Sequence, residues 1–202
     1  MTGLASHPQR NSIRLQLRQN QSLAGMTGAQ WSEIEPLLAI ADYRKGEPLV
    51  RQGDEDMEQF FVLEGMVKRV VSNPQGREMI LRFAAETEMD TSYAAWRLRT
   101  PVPYSIVAVT AKVRTAEMPL PAWAEFLERH PEIKQRFEYE VMRLMSEVMA
   151  HTITLHLLDA PGRLMRFQRK HPELAGRIPK KELAAYLNLT PETLSRLKQK
   201  LG

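Results

Sequence analysis

The segment from Lys180 to Leu201 constrains the fold more than any other, because it carries two short helical patterns on either side of a tight turn. Leu183, Leu187, Leu189, Leu194 and Leu197 fall where two crossed helices must share a small core, and Ala184 supplies the small side chain that lets the second helix approach the first. Asn188 occupies the turn, where a positive φ is usual. After glycine, asparagine takes that conformation most readily because its side chain bonds locally. Thr190 is a good N-cap, Pro191 suits the first helical position, and Glu192 lies in the first turn, where the helix macrodipole favours an acid. These positions together spell a helix-turn-helix.

With Leu194, Leu197 and Leu201 turned inward, Glu192, Ser195, Arg196 and Gln199 lie toward the outside at helical spacing, flanked by Lys198 and Lys200. A glutamate can accept from the N4 amine of cytosine and an arginine can bond bidentately to O6 and N7 of guanine, so Glu192 and Arg196 are the natural base readers. Thr190, Thr193, Lys180 and Lys198 suit phosphate contacts. The alternative is a helical hairpin with a solvated face, and the charge distribution argues against it. Residues 159–202 hold ten Lys and Arg against four acids, a balance of +6, whereas residues 1–158 hold eighteen against twenty, a balance of −2. A compact basic module on a mildly acidic body is the electrostatic footprint of a protein that binds double-stranded DNA.

The chain has 202 residues, 43% of them apolar, which is enough for a substantial core, and 26% charged residues fit neither wholesale disorder nor a membrane protein. No stretch reaches the ~20 apolar residues of a spanning helix. The absence of cysteine removes disulfides, iron–sulfur clusters, thiolate zinc sites and cysteine nucleophiles. Residues 1–25, with Arg10, Arg14 and Arg18 and no apolar core segment, read as a polar N-terminal arm and not a secretion signal, which implies a cytoplasmic location.

Residues 41–117 change texture, with short runs rich in Val, Ile, Phe and Leu punctuated by Gly46, Gly53, Gly65 and Gly76. Gln59 to Leu63 and Met66 to Val71 suggest a hairpin across Glu64-Gly65, and Asn73 to Gly76 turns the chain into Glu78 to Phe83. Ser105 to Ala108 and Lys112 to Glu117 complete the set. The economical architecture is an antiparallel β-roll or jelly roll with flanking helices over residues 26–130, in an α+β chain. From Pro131 to Leu158 the period becomes helical, with Ile133, Phe137, Val141, Leu144, Val148 and Leu155 on one stripe and Thr152 in the one interrupted slot. A single long helix with a narrow apolar stripe suits pairing with its own copy, burial against the roll being the alternative. Phe137, Val141, Leu144, Val148 and Leu155 are therefore the expected seam of a homodimer, in which two recognition helices ~34 Å apart would read a pseudo-palindrome.

Five segments, in this order, carry a resemblance: Lys45-Gly46-Glu47 with Gln52-Gly53-Asp54; Phe61-Val62-Leu63-Glu64-Gly65; Gly76-Arg77-Glu78-Met79-Ile80-Leu81; Leu158-Asp159-Ala160-Pro161-Gly162-Arg163; and Thr190-Pro191-Glu192-Thr193-Leu194-Ser195-Arg196. From about Trp31 onward the chain resembles the Crp/Fnr family of bacterial transcription regulators, relatives of the cyclic-AMP receptor protein. The resemblance implies a cyclic-nucleotide-binding-like roll, a dimerisation helix over 131–158 and a DNA-binding domain over 159–202. It also implies base contacts by Glu192, Ser195 and Arg196, half-sites resembling TTGAT as on the Fnr side of the family, RNA polymerase as a partner, and a small-molecule effector of the roll.

Members that bind cyclic nucleotides hold the phosphate with a Gly-Glu-Leu segment opening a short helix and a later Arg-Ser-Ala, so that backbone amides and a guanidinium meet the anion. The corresponding stretches here are Asp90-Thr91-Ser92 and Tyr104-Ser105-Ile106, without that arginine or glycine, and no glycine occurs between Gly76 and Gly162. Asp90 would add a carboxylate that repels a phosphate. The resemblance therefore implies a divergent member that does not bind cyclic AMP in the usual mode, with no cofactor and an effector that the sequence does not identify. Arg97 and Arg99 are candidate replacement cations, Tyr93 and Trp96 a candidate aromatic wall, and Ser105 completes the candidate effector pocket; a solvated loop is the alternative.

Residues 41–117 contain no histidine, which leaves only methionine to ligate a haem there, and His151 and His156 on the long helix read as dimer-flank or hinge residues. Two rival readings are a metal-dependent enzyme on a cupin-like roll, for which the roll lacks histidine ligands, and a ligand-independent regulator whose roll is only structural. The sequence stops at Gly202, just after the second helix. Many relatives continue into a hairpin wing, so the chain either lacks the wing's phosphate contacts or is cut short of them.

Overall fold

The computed structural model describes residues 2–76 and 78–201, and their side chains except that of Leu201; Arg77, Gly202 and the inward turn expected of Leu201 lie outside the described residues. The chain begins with β1 (Thr2–Gly3), α1 (Arg10–Leu17), α2 (Gly28–Ile34), β2 (Ala39–Arg44), β3 (Pro48–Val50), β4 (Glu58–Glu64), β5 (Val67–Ser72), β6 (Glu78–Ala84) and β7 (Met89–Thr91). It continues through α3 (Tyr93–Leu98), β8 (Ser105–Ala108), β9 (Lys112–Pro119), α4 (Leu120–Arg129), α5 (Pro131–Leu157), α6 (Ala160–Lys170), α7 (Lys180–Tyr186) and α8 (Pro191–Leu201). The strands form two antiparallel sheets, β1-β2-β9-β4-β7 and β3-β8-β5-β6, which enclose one core.

The turn at Asn73 to Gly76 makes β5 and β6 a hairpin in register from Val67↔Ala84 to Ser72↔Glu78. The expected β4–β5 hairpin does not form. β4 pairs with β9 and β7, β5 with β6 and β8, and the chain crosses between the sheets at Gly65. Gly65 has φ +83°, and a Cβ there would lie 2.3 Å from the Lys112 carbonyl oxygen, so only glycine makes this crossing. The continuous burial of Gln59 to Leu63 has the same cause: β4 is covered on both faces, by the roll interior on one and by α1 and α4 on the other.

The expectation of a polar N-terminal arm is corrected. Leu4, Ile13, Leu17 and Leu23 are buried in the main core, and Leu4 N donates to Leu38 O at 2.8 Å. α1 is amphipathic, with Ile13 and Leu17 one turn apart on the inner side. Its arginines are structural: Arg10 and Arg14 both pair with the buried Glu35, and Arg14 and Arg18 lie over the Trp31 ring at 5.3 and 6.0 Å. Composition alone hides this, since four well-spaced apolar side chains suffice to dock a segment that is otherwise polar.

α5 runs unbroken over 27 residues, as the periodicity requires. Its expected seam is corrected at Phe137 and Leu144. Phe137 and Leu144 are buried in the chain's own core, Phe137 with its ring edge-on to Trp123 (5.4 Å) and Tyr93 (5.0 Å), and Val141 packs half-buried beside them. Val148 and Leu155 are half-buried. A different stripe is exposed, made of Tyr139, Met142, Met145, Met149, Ile153 and Leu157 at helical spacings of three and four. The C-terminal helices build a second cluster that is not theirs alone: Leu164, Phe167, Leu183, Tyr186 and Leu194 pack with Met66, Val70, Ile80 and Phe83 of the β5–β6 hairpin.

Candidate functional site

The turn between α7 and α8 forms as its residues require. Asn188 has φ +52°, Thr190 Oγ1 accepts from Thr193 N at 3.2 Å, and Leu183, Ala184, Leu187 and Leu194 are buried at the helix crossing. Arg163 of α6 braces this turn by donating from Nη1 to the carbonyls of Leu187 (2.8 Å) and Asn188 (3.5 Å). The sequence placed Arg163 in the basic excess and at the end of the Leu158–Arg163 segment, and no local spacing signals a bond reaching across to residues 187 and 188.

Glu192, Arg196, Lys198, Gln199 and Lys200 are exposed on α8, with Lys180 and Thr190 exposed nearby. The backbone at Glu192 itself and the Thr190 hydroxyl hold the Glu192 carboxyl below the usual carboxylate range, so it is an acceptor at neutral pH. Ser195 and Thr193 are half-buried. Ser195 Oγ donates to Pro191 O at 3.0 Å, and Thr193 Oγ1 accepts from Thr190 Oγ1 (3.1 Å) and Arg196 Nη2 (3.4 Å). The Ser195 proton is thus committed to the helix backbone, leaving the oxygen's two lone pairs as its offer to a base.

The helix-turn-helix unit is docked on the roll. Lys68 Nζ meets Glu182 at 2.8 Å, Arg177 meets Glu86 at 2.7 Å, and the His151 ring of α5 lies flat on Tyr186 of α7, centroids 3.8 Å apart and planes 2° apart. Burial pushes His151 down to about 4, so its ring is neutral at physiological pH. His151 is therefore an interdomain packing residue rather than a dimer flank, whereas His156 is exposed.

A cavity of about 300 Å³ opens between the roll, α3, the loop after it and α5, lined by Ala94, Ala95, Leu98, Pro103, Val141, Leu144, Met145 and Val148 with Arg69 and Tyr104. None of the five expected pocket residues lines it. Tyr93 is buried, stacked on Trp96 (5.9 Å) and facing Phe137, while Arg97 and Arg99 are exposed and the Ser105 hydroxyl accepts from Gln52 N at 2.9 Å. The aromatic pair fastens α3 to α5 instead of facing a ligand.

Arg69 is the cavity's cation, and it is already paired. Its Nη2 donates to Asp90 Oδ1 and to Thr91 O (3.2 Å), and its guanidinium lies 4.1 Å from the Tyr104 ring centroid. Arg82 Nη1 donates to the other Asp90 oxygen at 3.0 Å, and Thr91 N donates to Oδ1 at 2.8 Å. Burial alone would raise the Asp90 carboxyl, but the two guanidinium groups outweigh it and hold it below the usual range. The view of Asp90 as a bare charge that repels phosphate is corrected: it is the internal counter-ion of two buried arginines. Arg69 and Arg82 sit mid-strand among apolar residues, and no sequence signal marked them as partners. Among the described residues no group of three or more His, Asp or Glu could hold a metal ion, and no helix is long and apolar enough to cross a membrane.

The family model of the cyclic nucleotide-binding domain matches residues 40–130. The chain is 24% identical over 196 residues to the nitrogen fixation regulation protein FixK of Bradyrhizobium diazoefficiens, covering 92% of this chain and 81% of that protein. The structure of FixK2 from Bradyrhizobium japonicum superposes with a TM-score of 0.71 at 17% identity, over 81% of this chain and 84% of that one. The c-di-GMP-responsive global regulator CLP of Xanthomonas campestris superposes with a TM-score of 0.70 at 15% identity, over 87% and 91%. Residues 40–130 therefore match the cyclic nucleotide-binding domain, and the chain shares the fold of these regulators, with a roll whose buried arginine already has an internal anion.

Proposed function

We propose that the chain reads a two-fold symmetric DNA operator as a homodimer, that α8 enters the major groove, and that the ligand of the roll is a small, mainly apolar molecule rather than cyclic AMP. The observation that carries the reading is the outer face of α8, where Glu192 and Arg196 stand exposed one turn apart at the start of a capped helix, with Lys180, Thr190 and Lys198 around them to meet phosphates. Ser195 accepts from a base with a free lone pair, and Thr193 lends its hydroxyl to the phosphate side.

Dimerisation uses the exposed stripe of α5, in which Met142, Met149 and Ile153 meet their copies in a coiled coil. Two α8 helices then lie about one DNA turn apart, ~34 Å. The cavity beneath α3 has apolar walls and one cation that Asp90 neutralises, so an apolar guest fits it better than a phosphate diester. The protein acts in the cytoplasm, where RNA polymerase is the expected partner at the promoter.

Selection from a random duplex pool with purified protein, with and without cyclic nucleotides, tests this. A symmetric consensus recovered without nucleotide is expected. Enrichment only after cyclic AMP is added would overturn the effector assignment, and no enrichment under any condition would overturn operator reading. A ligand-independent regulator is the second reading, favoured by the Arg69–Asp90 closure. Thermal melting against apolar acids and lipids separates the two, since a true ligand at a hundred times its Kd adds about 2.7 kcal/mol.

A further inference from the structure

A second, smaller cavity lies where the roll, α5 and the DNA-binding unit meet, walled by β6, α5, α6 and α7. Its volume of about 40 Å³ is room for roughly three waters. Three buried nitrogens of its lining residues have no hydrogen-bond partner among the described residues: His151 Nε2, Arg82 Nε and Arg163 Nε. His151 and Arg82 are each more than nine-tenths buried. A buried N–H without an acceptor costs about 1–3 kcal/mol, so the unpartnered Nε of Arg82 and of Arg163, and Nε2 of His151 in the tautomer that carries its proton there, call for an acceptor beside these lining residues.

The charge around the cavity is one-sided. Its one carboxylate, Glu147, is tied to Arg143 at 2.6 Å, and Arg82 is neutralised by Asp90 and Glu88. What remains is α6, whose Arg163, Arg166 and Lys170 line the cavity at i, i+3 and i+7 and have no carboxylate partner among the described residues. Guanidinium groups match the oxygens of a phosphoryl group in geometry as well as charge. The volume admits a group of that size and excludes a nucleoside.

We propose that this junction binds a tetrahedral oxyanion, as free phosphate or as the phosphoryl end of a small phosphomonoester, held by Arg163, Arg166 and Lys170 from α6 and by His151 from α5. The bound anion bridges α5 and the DNA-binding unit and so holds that unit on the roll. This site is separate from the cavity beneath α3 and from the outer face of α8.

The test is calorimetric titration of the full chain, without DNA and at constant ionic strength, with inorganic phosphate in one arm and glycerol 3-phosphate in the other. One saturable site is expected, weakened about tenfold or more in Arg166→Gln. His151→Phe, which keeps a ring on Tyr186, should weaken it too, and the exposed Lys170→Gln gives a variant whose folding is not at stake. Saturation by phosphate alone would assign the free ion, and saturation by both would assign the phosphoryl group whatever carries it. Absence of a saturable site in both arms, or binding undiminished in Arg166→Gln and Lys170→Gln, would overturn the proposal and leave operator reading untouched.

Discussion

In the roll, the buried Arg69 and Arg82 close on Asp90, whereas in the C-terminal unit Arg166, Lys170, Arg196 and Lys198 meet no carboxylate among the described residues. The difference is one of solvent. A cation taken out of water needs its anion inside the fold, while a cation at the surface is stabilised by water until a phosphate replaces it. Removing Asp90 should therefore be the most damaging single change. Asp90→Ala leaves two buried guanidinium groups without a counter-ion and should cost about 3–5 kcal/mol in urea unfolding, while Lys170→Ala should stay within about 0.5 kcal/mol. Asp90 titrates lower folded than unfolded, so its contribution is complete above about pH 4 and drains away as the pH falls through the folded value. A small loss in Asp90→Ala, with acid unfolding unchanged, would mean that the arginines are hydrated and the contrast is false.

The two faces of α5 sharpen the same contrast for apolar side chains. Phe137→Ala empties a fully buried site against Trp123 and Tyr93 and should cost about 3–5 kcal/mol. Met149→Glu, on the exposed stripe, should leave the fold of the protomer intact and convert the proposed dimer to monomer in sedimentation. The opposite pattern, a stable monomer from Phe137→Ala and an intact dimer from Met149→Glu, would return the seam to the stripe first expected.

The two stripes of α5 show where sequence stops being informative. The helix over 131–157 follows from periodicity alone, but Phe137 and Met149 are equally apolar to a periodicity count, and only the roll's position tells which face is already covered. The helix-turn-helix was legible to the residue, because Asn188, Thr190 and Pro191 act locally through backbone conformation and capping. The strands at 58–64, 67–72, 78–84, 105–108 and 112–119 were legible from short apolar runs between turn residues, whereas β7 (Met89–Thr91) was not. The Gly65 crossing, the docked N-terminus and the Arg69–Asp90–Arg82 closure were not, since each joins residues far apart in the chain and depends on which sheet a strand enters. The effector pocket was missed in an instructive way: Tyr93 and Trp96 have the right chemistry for a ligand wall, yet they are used to fasten α3 to α5.

On α8 the contrast lies between neighbours. Arg196→Ala should weaken the selected operator by about 1–3 kcal/mol while sparing random DNA. Lys198→Ala should weaken both alike and lower the salt slope by about one. Equal loss on every duplex from Arg196→Ala would make that side chain a phosphate contact, and its 3.4 Å tie to Thr193 would then be the bound arrangement instead of a resting one.

The smallest expected effect belongs to the residue where the two regions touch. Burial, with His171 and Lys170 nearby, pushes His151 down to about 4 from 6.5. Between those two values the unfolded chain takes up a proton that the folded protein refuses, so stability falls as the pH falls across that window. This window lies above that of Asp90, so the two slopes can be separated in one series of unfolding curves. In His151→Phe the ring stack on Tyr186 remains and the His151 part of the slope disappears, leaving the share of His171, whose burial also lowers it. A slope unchanged by His151→Phe would mean that the ring carries its proton in the folded protein. The junction between roll and helix-turn-helix unit would then be open to water, and the docking of α7 on the β5–β6 hairpin would rest on its apolar contacts and the Lys68–Glu182 pair.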